Sequence, residues 1–278
     1  MEVQQVVEIH DAARAYAWGL RLGAVVIMVH TGSVSVGYPA SAYMRDILRN
    51  IYPPGLPHPQ NGIYPLPYSE KYAAEWDKFQ VALANAANFA FANRLFLGLM
   101  LRRVFEETLG DREVRLLYDS GHNLVWKEAD GRFLHRKGAC PARGAAAMQV
   151  APFHWTGEPA LIPGSMGSHS FIMAGTGKAE SLLSASHGAG RAQSRGRSMR
   201  TSDDDFQRFI REFHVVTPID PEAPQIRQRR DILAKWEAEI KQEAPWAFKD
   251  IGPVIRTQVK AGMLGKVAET RPLFTVKG

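Results

Sequence analysis

The pattern of apolar and polar positions predicts both strands and helices along this chain. Residues 23 to 30, GAVVIMVH, form a β-branched run that begins at a glycine and ends before the turn TGS. Such a run is typical of a buried strand, and it places His30 at the end of that strand. From Ser69 to Leu109, large apolar residues recur at spacings of three, four and eight, which predicts a long helix. The segment SAYMRDILRNIY at 41 to 52 has a shorter helical pattern.

The remaining segments predict an irregular loop, a region of short strands and a helical last third. The prolines and glycines of PPGLPHPQNGIYPLP exclude regular structure there. Strand-like pieces follow in VRLLYD, in NLVWKEADGRFLHRKG with a hairpin turn at Asp130-Gly131, in ALIPGSMG and in SFIMAG. Helical patterns cover 203 to 213, 225 to 242 and 249 to 262, and the tail RPLFTVKG is extended. Together these elements predict an α+β fold with a mixed β-sheet region around a central cleft flanked by helices.

Composition narrows the class of protein. Hydrophobic residues make up 45% of the 278 residues and charged residues 22%, which is typical of a globular protein. No apolar run reaches the roughly 20 residues that span a bilayer. The N-terminus lacks the features of a signal peptide, so we expect a cytoplasmic protein without a membrane partner. The single cysteine, Cys140, excludes an intrachain disulfide and is expected to be an ordinary small buried or turn residue.

Candidate chemistry lies in five glycine-containing stretches at predicted strand ends or turns: VHTGS, YDSGHN, HRKGA, PGSMGSHS and SHGAGR. Histidine in such places can bind a transition metal or act as a nucleophile or base. Taken alone, His30 or His122 is more simply explained as a hydrogen-bonded structural residue. The serines of PGSMGSHS could present hydroxyl and amide groups to a phosphate, although most serine-glycine turns bind nothing.

The strongest charge signal is the segment SASHGAGRAQSRGRSMR, which carries four arginines and no acid. Such a segment indicates an anion-binding surface, and a flexible basic loop is the competing explanation. The net charge of +6 is compatible with a polyanionic partner without requiring one. Arg136 and Lys137 in HRKGA could contact a phosphate or form a solvated turn.

In the same order, seven segments resemble the RtcB family of RNA ligases: VHTGS, NAANFAFANR, YDSGHN, HRKGA, LIPGSMGSHS, SHGAGRAQSR and the terminal KG. The resemblance covers nearly the whole chain, and it implies one RtcB-like catalytic domain over residues 1–278. It implies an enzyme that uses GTP and Mn²⁺ to join RNA 3′-phosphate or 2′,3′-cyclic phosphate ends to 5′-hydroxyl ends. Broken RNA or tRNA halves would be the substrates, and a monomer is the expected state.

The resemblance also implies roles for individual residues. His187 would be the catalytic histidine that carries GMP as a phosphoramidate. His30 and His122 would be metal ligands. The guanylate would be bound by a set of eight residues: Glu2, Ser165, Ser170, Gly188, Ala189, Gly190, Phe248 and Lys277. RNA or its phosphates would be contacted by a further six: Asn93, Arg94, Arg136, Lys137, Arg191 and Arg195.

The chain departs from the family pattern at its start. The family's Gly-Asn-His-Phe motif would end one residue before Met1, and its aspartate and cysteine metal ligands would lie further upstream, so we expect a domain truncated at its N-terminus. A start set too far downstream, a partial chain and a shortened paralogue all remain open. Two alternative functions follow: a non-catalytic RNA- or nucleotide-binding remnant, and a metal-dependent phosphoester hydrolase.

Overall fold

The computed structural model describes residues 1–110 and 113–278, and it confirms the α+β class. Its contacts divide the chain into two compact units. The first unit contains residues 1–29, 120–123 and 135–278, and the second contains 30–119 and 124–134. The predicted extent of a single domain over 1–278 stays a prediction.

The first unit is built on a six-stranded sheet. Its strands lie in the order β2-β1-β10-β7-β6, all antiparallel, and β9 pairs in parallel with β10, so the sheet is mixed as predicted. The bounds are β1 Glu2–Ile9, β2 Val25–Met28, β6 Pro159–Ile162, β7 Ser170–Gly175, β9 His214–Val216 and β10 Leu264–Val276. A separate antiparallel pair joins β5, Ala139–Pro141, to β8, Ser184–Ser186.

The centre of the sheet holds a buried polar network as well as apolar side chains. Gln4, Ser170 and Thr270 come from β1, β7 and β10, and each is fully buried. The Thr270 hydroxyl donates to Gln4 Oε1 at 2.6 Å, and Gln4 Nε2 donates to Ser170 Oγ at 3.0 Å. Because each side-chain nitrogen and oxygen of these three residues has a hydrogen-bond partner, the network fixes the three strands in one register.

Helices cover the first unit and close two hydrophobic clusters. The helices are α1 Ala12–Ala17, α4 Phe153–Thr156, α5 Arg195–Ser198, α6 Asp203–Glu212, α7 Arg230–Lys241 and α8 Ile251–Lys260. One cluster packs Ile251 and Ile255 of α8 against Cys140 and Ala185 of the β5–β8 pair. The other is centred on Phe206 of α6 and Ile240 of α7, both fully buried. The first cluster forms the support under the candidate site.

In the part that the structure describes, the second unit includes the α-helices α2, Val34–Ile51, and α3, Ala73–Leu109, which contact each other. A hairpin of β3, Asn123–Lys127, and β4, Phe133–Lys137, places residues 124–134 in this unit. Trp76 of α3 stacks on Phe133 of the hairpin with ring centroids 5.2 Å apart, and Tyr68 packs edge-on against both rings. Aromatic packing therefore holds the hairpin tip to the start of α3.

Most predicted elements are confirmed, and four are corrected. VRLLYD at 114 to 119 is not a strand. The helix predicted from residue 41 begins at Val34 and contains Pro39, and the helix predicted from residue 225 begins at Arg230. The strand predicted in GAVVIMVH exists as β2, but it is not buried, because it lies at the edge of the sheet with Val25 54% exposed. No local pattern in the sequence indicated β1. Among the described residues, none of the helices has the length and apolar character needed to cross a bilayer.

Candidate active site

His187 is positioned by the short β5–β8 ladder. The last register pair of that ladder is Ala139 with Ser186, and the next residues along each strand are Gly138 and His187. The His187 amide donates to the Gly138 carbonyl at 3.3 Å, so the ladder hydrogen bonding continues to the histidine. Gly138 has a φ of +65°, which a residue with a side chain rarely adopts. The turn HRKG therefore ends beside the His187 ring.

His122 lies against His187 within the first unit. Their ring centroids are 4.1 Å apart with planes inclined by 40°, and both residues are half-buried. The segment 120–123 is held to the HRKG turn because the Gly138 amide donates to Asn123 Oδ1 at 2.9 Å. Two adjacent imidazoles can share a metal ion, or one can bind the ion while the other acts as a nucleophile. This pair is the chemical centre of the candidate site.

Two positioning residues here escaped the sequence analysis. Gln258 of α8 is buried, and its Oε1 accepts from the Ser186 amide at 2.7 Å, one residue before His187. Its Nε2 donates to the Ser186 carbonyl at 3.4 Å. Asn123 is the second such residue, because its side chain anchors the segment that carries His122. A glutamine within a helical pattern carries no signal that it will bind a distant strand.

Glu2 lies at the first position of β1. Its Oε1 accepts from the Thr275 hydroxyl at 3.0 Å and its Oε2 from Gln4 Nε2 at 2.7 Å. Burial raises the pKa of the Glu2 carboxyl, and hydrogen bonds from Gln4, Thr275 and the Gly167 backbone oppose this shift. The carboxylate is therefore placed beside the loop that contains Ser165 and leads into Ser170 of β7.

Hydrogen bonds of serine side chains hold that loop, residues 163–169, in a closed conformation. Ser165 and Ser168 share a hydrogen bond between their hydroxyls at 2.8 Å, and the Gly164 amide donates to Ser170 Oγ at 3.0 Å. A Cβ on Gly164 would lie 2.2 Å from the His169 carbonyl oxygen, so the loop closes only with glycine there. Ser170 is fully buried and its hydroxyl oxygen has two protein donors, so the structure gives it a role in loop shape. Its contact with guanylate stays a prediction.

The residues that follow His187 connect it to Arg191. Arg191 stacks over the Phe248 ring at 4.9 Å, and its Nη2 donates to the Gln242 carbonyl at 2.7 Å. The Gly190 carbonyl accepts from the Lys249 amide at 3.0 Å, and Gly190 has a φ of +72° with open space where a Cβ would lie. Gly188 accepts from the Ser186 hydroxyl, and Ala189 packs on the cluster under the β5–β8 pair.

Lys277 lies in the neighbourhood of Arg191. Its Nζ donates to the Glu239 carbonyl at 2.6 Å, and its amide donates to the Val216 carbonyl at 2.9 Å. Burial lowers the pKa of the Lys277 ammonium, Glu243 and Glu239 raise it, and Arg191 lowers it further. The C-terminal lysine is therefore fixed in the fold by its backbone and its side chain.

The remaining predicted phosphate contacts differ in exposure. Arg136 is buried, and its Nε donates to Ser184 Oγ at 2.9 Å, so it supports strand β8. Lys137 and Arg195 are exposed. The predicted roles of these three residues toward RNA stay predictions.

His30, Asn93 and Arg94 belong to the second unit, and His30 is exposed. Asn93 Nδ2 donates to the Gly32 carbonyl at 3.1 Å, and Arg94 Nη1 donates to the Thr31 carbonyl at 3.1 Å. Arg94 also pairs with Asp119 at 2.6 Å, so α3 ties together the segments that follow His30 and precede Ser120. The role of His30 as a metal ligand stays a prediction.

The chain is similar to known proteins along its whole length. The model of a family described as tRNA-splicing ligase RtcB matches residues 1–278. A tRNA-splicing ligase RtcB from Pyrococcus furiosus is 35% identical over 294 positions, which cover 100% of this chain and 29% of that protein. One from Pyrobaculum aerophilum is 33% identical, with 100% and 57% covered. An RNA-splicing ligase RtcB from Mycobacterium bovis is 31% identical, with 100% and 62% covered. The chain thus spans 29% to 62% of the length of these relatives.

Proposed function

Because the chain belongs to the tRNA-splicing ligase RtcB family, we propose that it joins RNA 3′-phosphate or 2′,3′-cyclic phosphate ends to 5′-hydroxyl ends. GTP and Mn²⁺ would be its cofactors, and tRNA splicing or RNA repair its setting. The observation that carries this proposal is the His122–His187 pair, with ring centroids 4.1 Å apart, at the end of the β5–β8 ladder. Such a pair combines a candidate nucleophile with a candidate metal ligand.

His187 is the residue we assign to the covalent step. One ring nitrogen attacks the α-phosphorus of GTP, a nitrogen–phosphorus bond forms, and the bond to the bridging oxygen breaks, so pyrophosphate leaves and the imidazole loses its proton. A 2′,3′-cyclic end is first opened by water, which breaks the bond from phosphorus to O2′ and leaves a 3′-phosphate and a 2′-hydroxyl. An oxygen of the RNA 3′-phosphate then displaces His187 from the phosphorus of GMP. Finally the 5′-hydroxyl loses its proton, attacks the 3′-phosphorus and expels GMP. The covalent intermediate divides one difficult displacement into easier ones.

His122 is the residue of this pair that we assign to manganese. The donor fits, since a neutral imidazole is a suitable ligand for a divalent transition metal and His122 is half-buried beside the nucleophile. When bound, Mn²⁺ supplies charge neutralisation and Lewis acidity at the phosphates. The backbone hydrogen bond of His187 and the hydrogen bonds of Gln258 to the Ser186 backbone would hold the nucleophile in place during attack.

Covalent attachment of GMP to His187 is the test of the proposal. After incubation with GTP and Mn²⁺, mass spectrometry should find one GMP per chain, on a peptide that contains His187. The adduct should be labile to acid and stable to base, as expected of a phosphoramidate. His187→Ala should abolish it. His154→Ala, which removes an exposed histidine of α4, should leave it unchanged. An unmodified parent protein, or an adduct that persists in His187→Ala, would contradict the assignment.

A further inference from the structure

A second group of metal-ligating side chains lies elsewhere in the first unit. Glu8, His10 and Glu269 each offer a ligand atom, and these atoms lie within 4.8 Å of one another. His169 Nδ1 also makes a short contact with Glu269 Oε1. None of these four residues has a role in the proposed ligase chemistry. We propose that Glu8, His10 and Glu269 form a Zn²⁺ site that links β1 to β10, and that His169 orients Glu269 through a hydrogen bond.

The sheet register places Glu8 and Glu269 side by side. Glu8 of β1 is the direct partner of Glu269 of β10, so both side chains lie on the same face of the sheet. His10 lies one residue beyond the end of β1, and His169 lies one residue before the start of β7. A ring nitrogen of each histidine contacts Glu269, so both histidines reach this point from just outside the strands.

The spacing of the donors is compatible with one small cation. Two ligand atoms that are each bound at about 2.1 Å to a tetrahedral Zn²⁺ lie roughly 3.4 Å apart, and one ligand atom from each of Glu8, His10 and Glu269 lies within 4.8 Å of the other two. His10 lies between the two carboxylates, with Nδ1 3.4 Å from Glu8 Oε1 and Nε2 3.9 Å from Glu269 Oε2, and only one of these nitrogens would bind the ion. The mixture of imidazole and carboxylate donors suits zinc better than calcium or magnesium, which prefer oxygen alone.

The backbone fixes these ligands before a metal binds. The His10 amide donates to the Val267 carbonyl at 2.9 Å, which holds His10 beside β10 after β1 has ended. His169 is held by the tight approach of its carbonyl to Gly164. The Glu269 side chain is only 18% exposed and accepts contacts from both histidines, so it is the central ligand. A preorganised set of donors binds an ion with a smaller loss of entropy.

Electrostatics favour a cation at this point. Two glutamates directly opposite each other on adjacent strands repel, which destabilises a sheet. Neutral imidazoles hydrogen-bond to carboxylates without cancelling their charge, whereas one divalent ion neutralises both. The competing explanation is that protonated histidines alone compensate the glutamates, and metal titration separates the two.

Cobalt and zinc titrations of the whole chain test the site. The parent should carry His122→Ala and His187→Ala, so that the histidine pair of the candidate active site does not bind the probe. After EDTA treatment, at pH 8, one equivalent of Co²⁺ should give the intense visible absorption of a tetrahedral site, and Zn²⁺ should displace it. Adding His10→Ala and His169→Ala should weaken binding by at least about 100-fold. Adding His154→Ala instead should leave binding unchanged.

Thermal unfolding gives a second readout, which does not require that the variant with His10→Ala and His169→Ala folds. At a free Zn²⁺ concentration 100 times Kd, the Tm of the same parent should rise by roughly 5 °C. Glu8→Gln, at an exposed position, should raise the metal-free Tm because it removes the repulsion, and should reduce the rise caused by Zn²⁺. The proposal is overturned if the parent binds no metal at pH 8, or if Glu8→Gln lowers the metal-free Tm while Zn²⁺ still produces the full rise.

Discussion

Cys140 illustrates, at the scale of one residue, how burial limits what a side chain can do. It lies 2% exposed in the cluster beneath the β5–β8 pair, two strand positions from the register level of His187. Burial raises the pKa of its thiol from 9.0 to about 12, with a smaller contribution from Glu158. A thiol in this state is neither a nucleophile nor a metal ligand at neutral pH, since both roles need the thiolate. The sequence-based expectation of an ordinary buried cysteine is therefore confirmed.

A thiol-modification rate tests this account of Cys140. At pH 8 a pKa shift from 9.0 to about 12 lowers the thiolate fraction about 1000-fold, of which higher nucleophilicity restores roughly 30-fold. We expect the native protein to react with a disulfide reagent such as DTNB at least about 30 times more slowly than the same protein in denaturant. Equal rates in the two conditions would show that the thiol is accessible and its pKa unshifted.

At the scale of elements, the loop before β6 depends on a buried ion pair. Glu158 is 1% exposed, and Arg143 binds it in a fork, with Nε to Oε2 and Nη2 to Oε1 both at 2.9 Å. The Arg143 amide donates to the same carboxylate at 3.0 Å, and the Glu158 amide donates to the Arg143 carbonyl. The two residues therefore fix the chain between β5 and β6 through side chains and backbone together.

Removal of Arg143 should leave the Glu158 charge buried without its guanidinium. We expect Arg143→Ala to lower the free energy of unfolding by about 3 kcal/mol, the lower end of the range for broken buried pairs, because Arg143 itself is partly exposed. Arg143→Lys should lose less, since it keeps the charge but not the fork. Arg132→Ala, which breaks an exposed pair with Asp130, is the control and should be nearly neutral. Urea unfolding measures all three, and equal losses for Arg143→Ala and Arg132→Ala would contradict this account.

The elements that the sequence predicted are those with a local pattern, such as apolar positions that follow a regular period. The long helix α3 is of this kind, whereas β2 was predicted from a continuous β-branched run and the hairpin from the turn dipeptide Asp130-Gly131. Strand β1 was missed because Gln4, a residue normally exposed, is completely buried and hydrogen-bonded to Thr270 and Ser170. Its partners are 166 and 266 residues away, so no local pattern could reveal them. VRLLYD has strand-like residues without a partner strand, and a strand requires one.

The same physical limit applies to the candidate site. Glycine-flanked histidines identified His122 and His187 as candidates, and the family resemblance gave them roles. Spacing could not show that the two rings meet, because their proximity depends on the β5–β8 ladder and on the Asn123 hydrogen bond to Gly138. Likewise, Arg191 and Arg136 were expected to face phosphates. Their protein partners, Gln242 and Ser184, become visible only in the fold.

At the scale of the whole molecule, the net charge of +6 is less informative than its distribution. Of the arginines between 191 and 200, Arg191 stacks on Phe248, whereas Arg195, Arg197 and Arg200 are exposed. An acid-free group of exposed arginines is a candidate surface for the phosphates of RNA. This surface would serve a ligase and a non-catalytic RNA-binding protein equally well, so it tests RNA binding apart from the chemistry of His187.

Salt dependence of RNA binding is the measurement that isolates this surface. For a single-stranded RNA, each phosphate contact contributes roughly −0.7 to the slope of log K against log salt concentration. If all three exposed arginines contact phosphates, the combined variant Arg195→Ala, Arg197→Ala, Arg200→Ala should flatten the slope by about 2. The matched control, Arg227→Ala, Arg229→Ala, Arg230→Ala, removes three exposed arginines elsewhere and lowers the net charge equally. It should therefore keep the parent slope. Equal flattening by both variants would mean that RNA responds to total charge, and that residues 195 to 200 form no particular phosphate-binding surface.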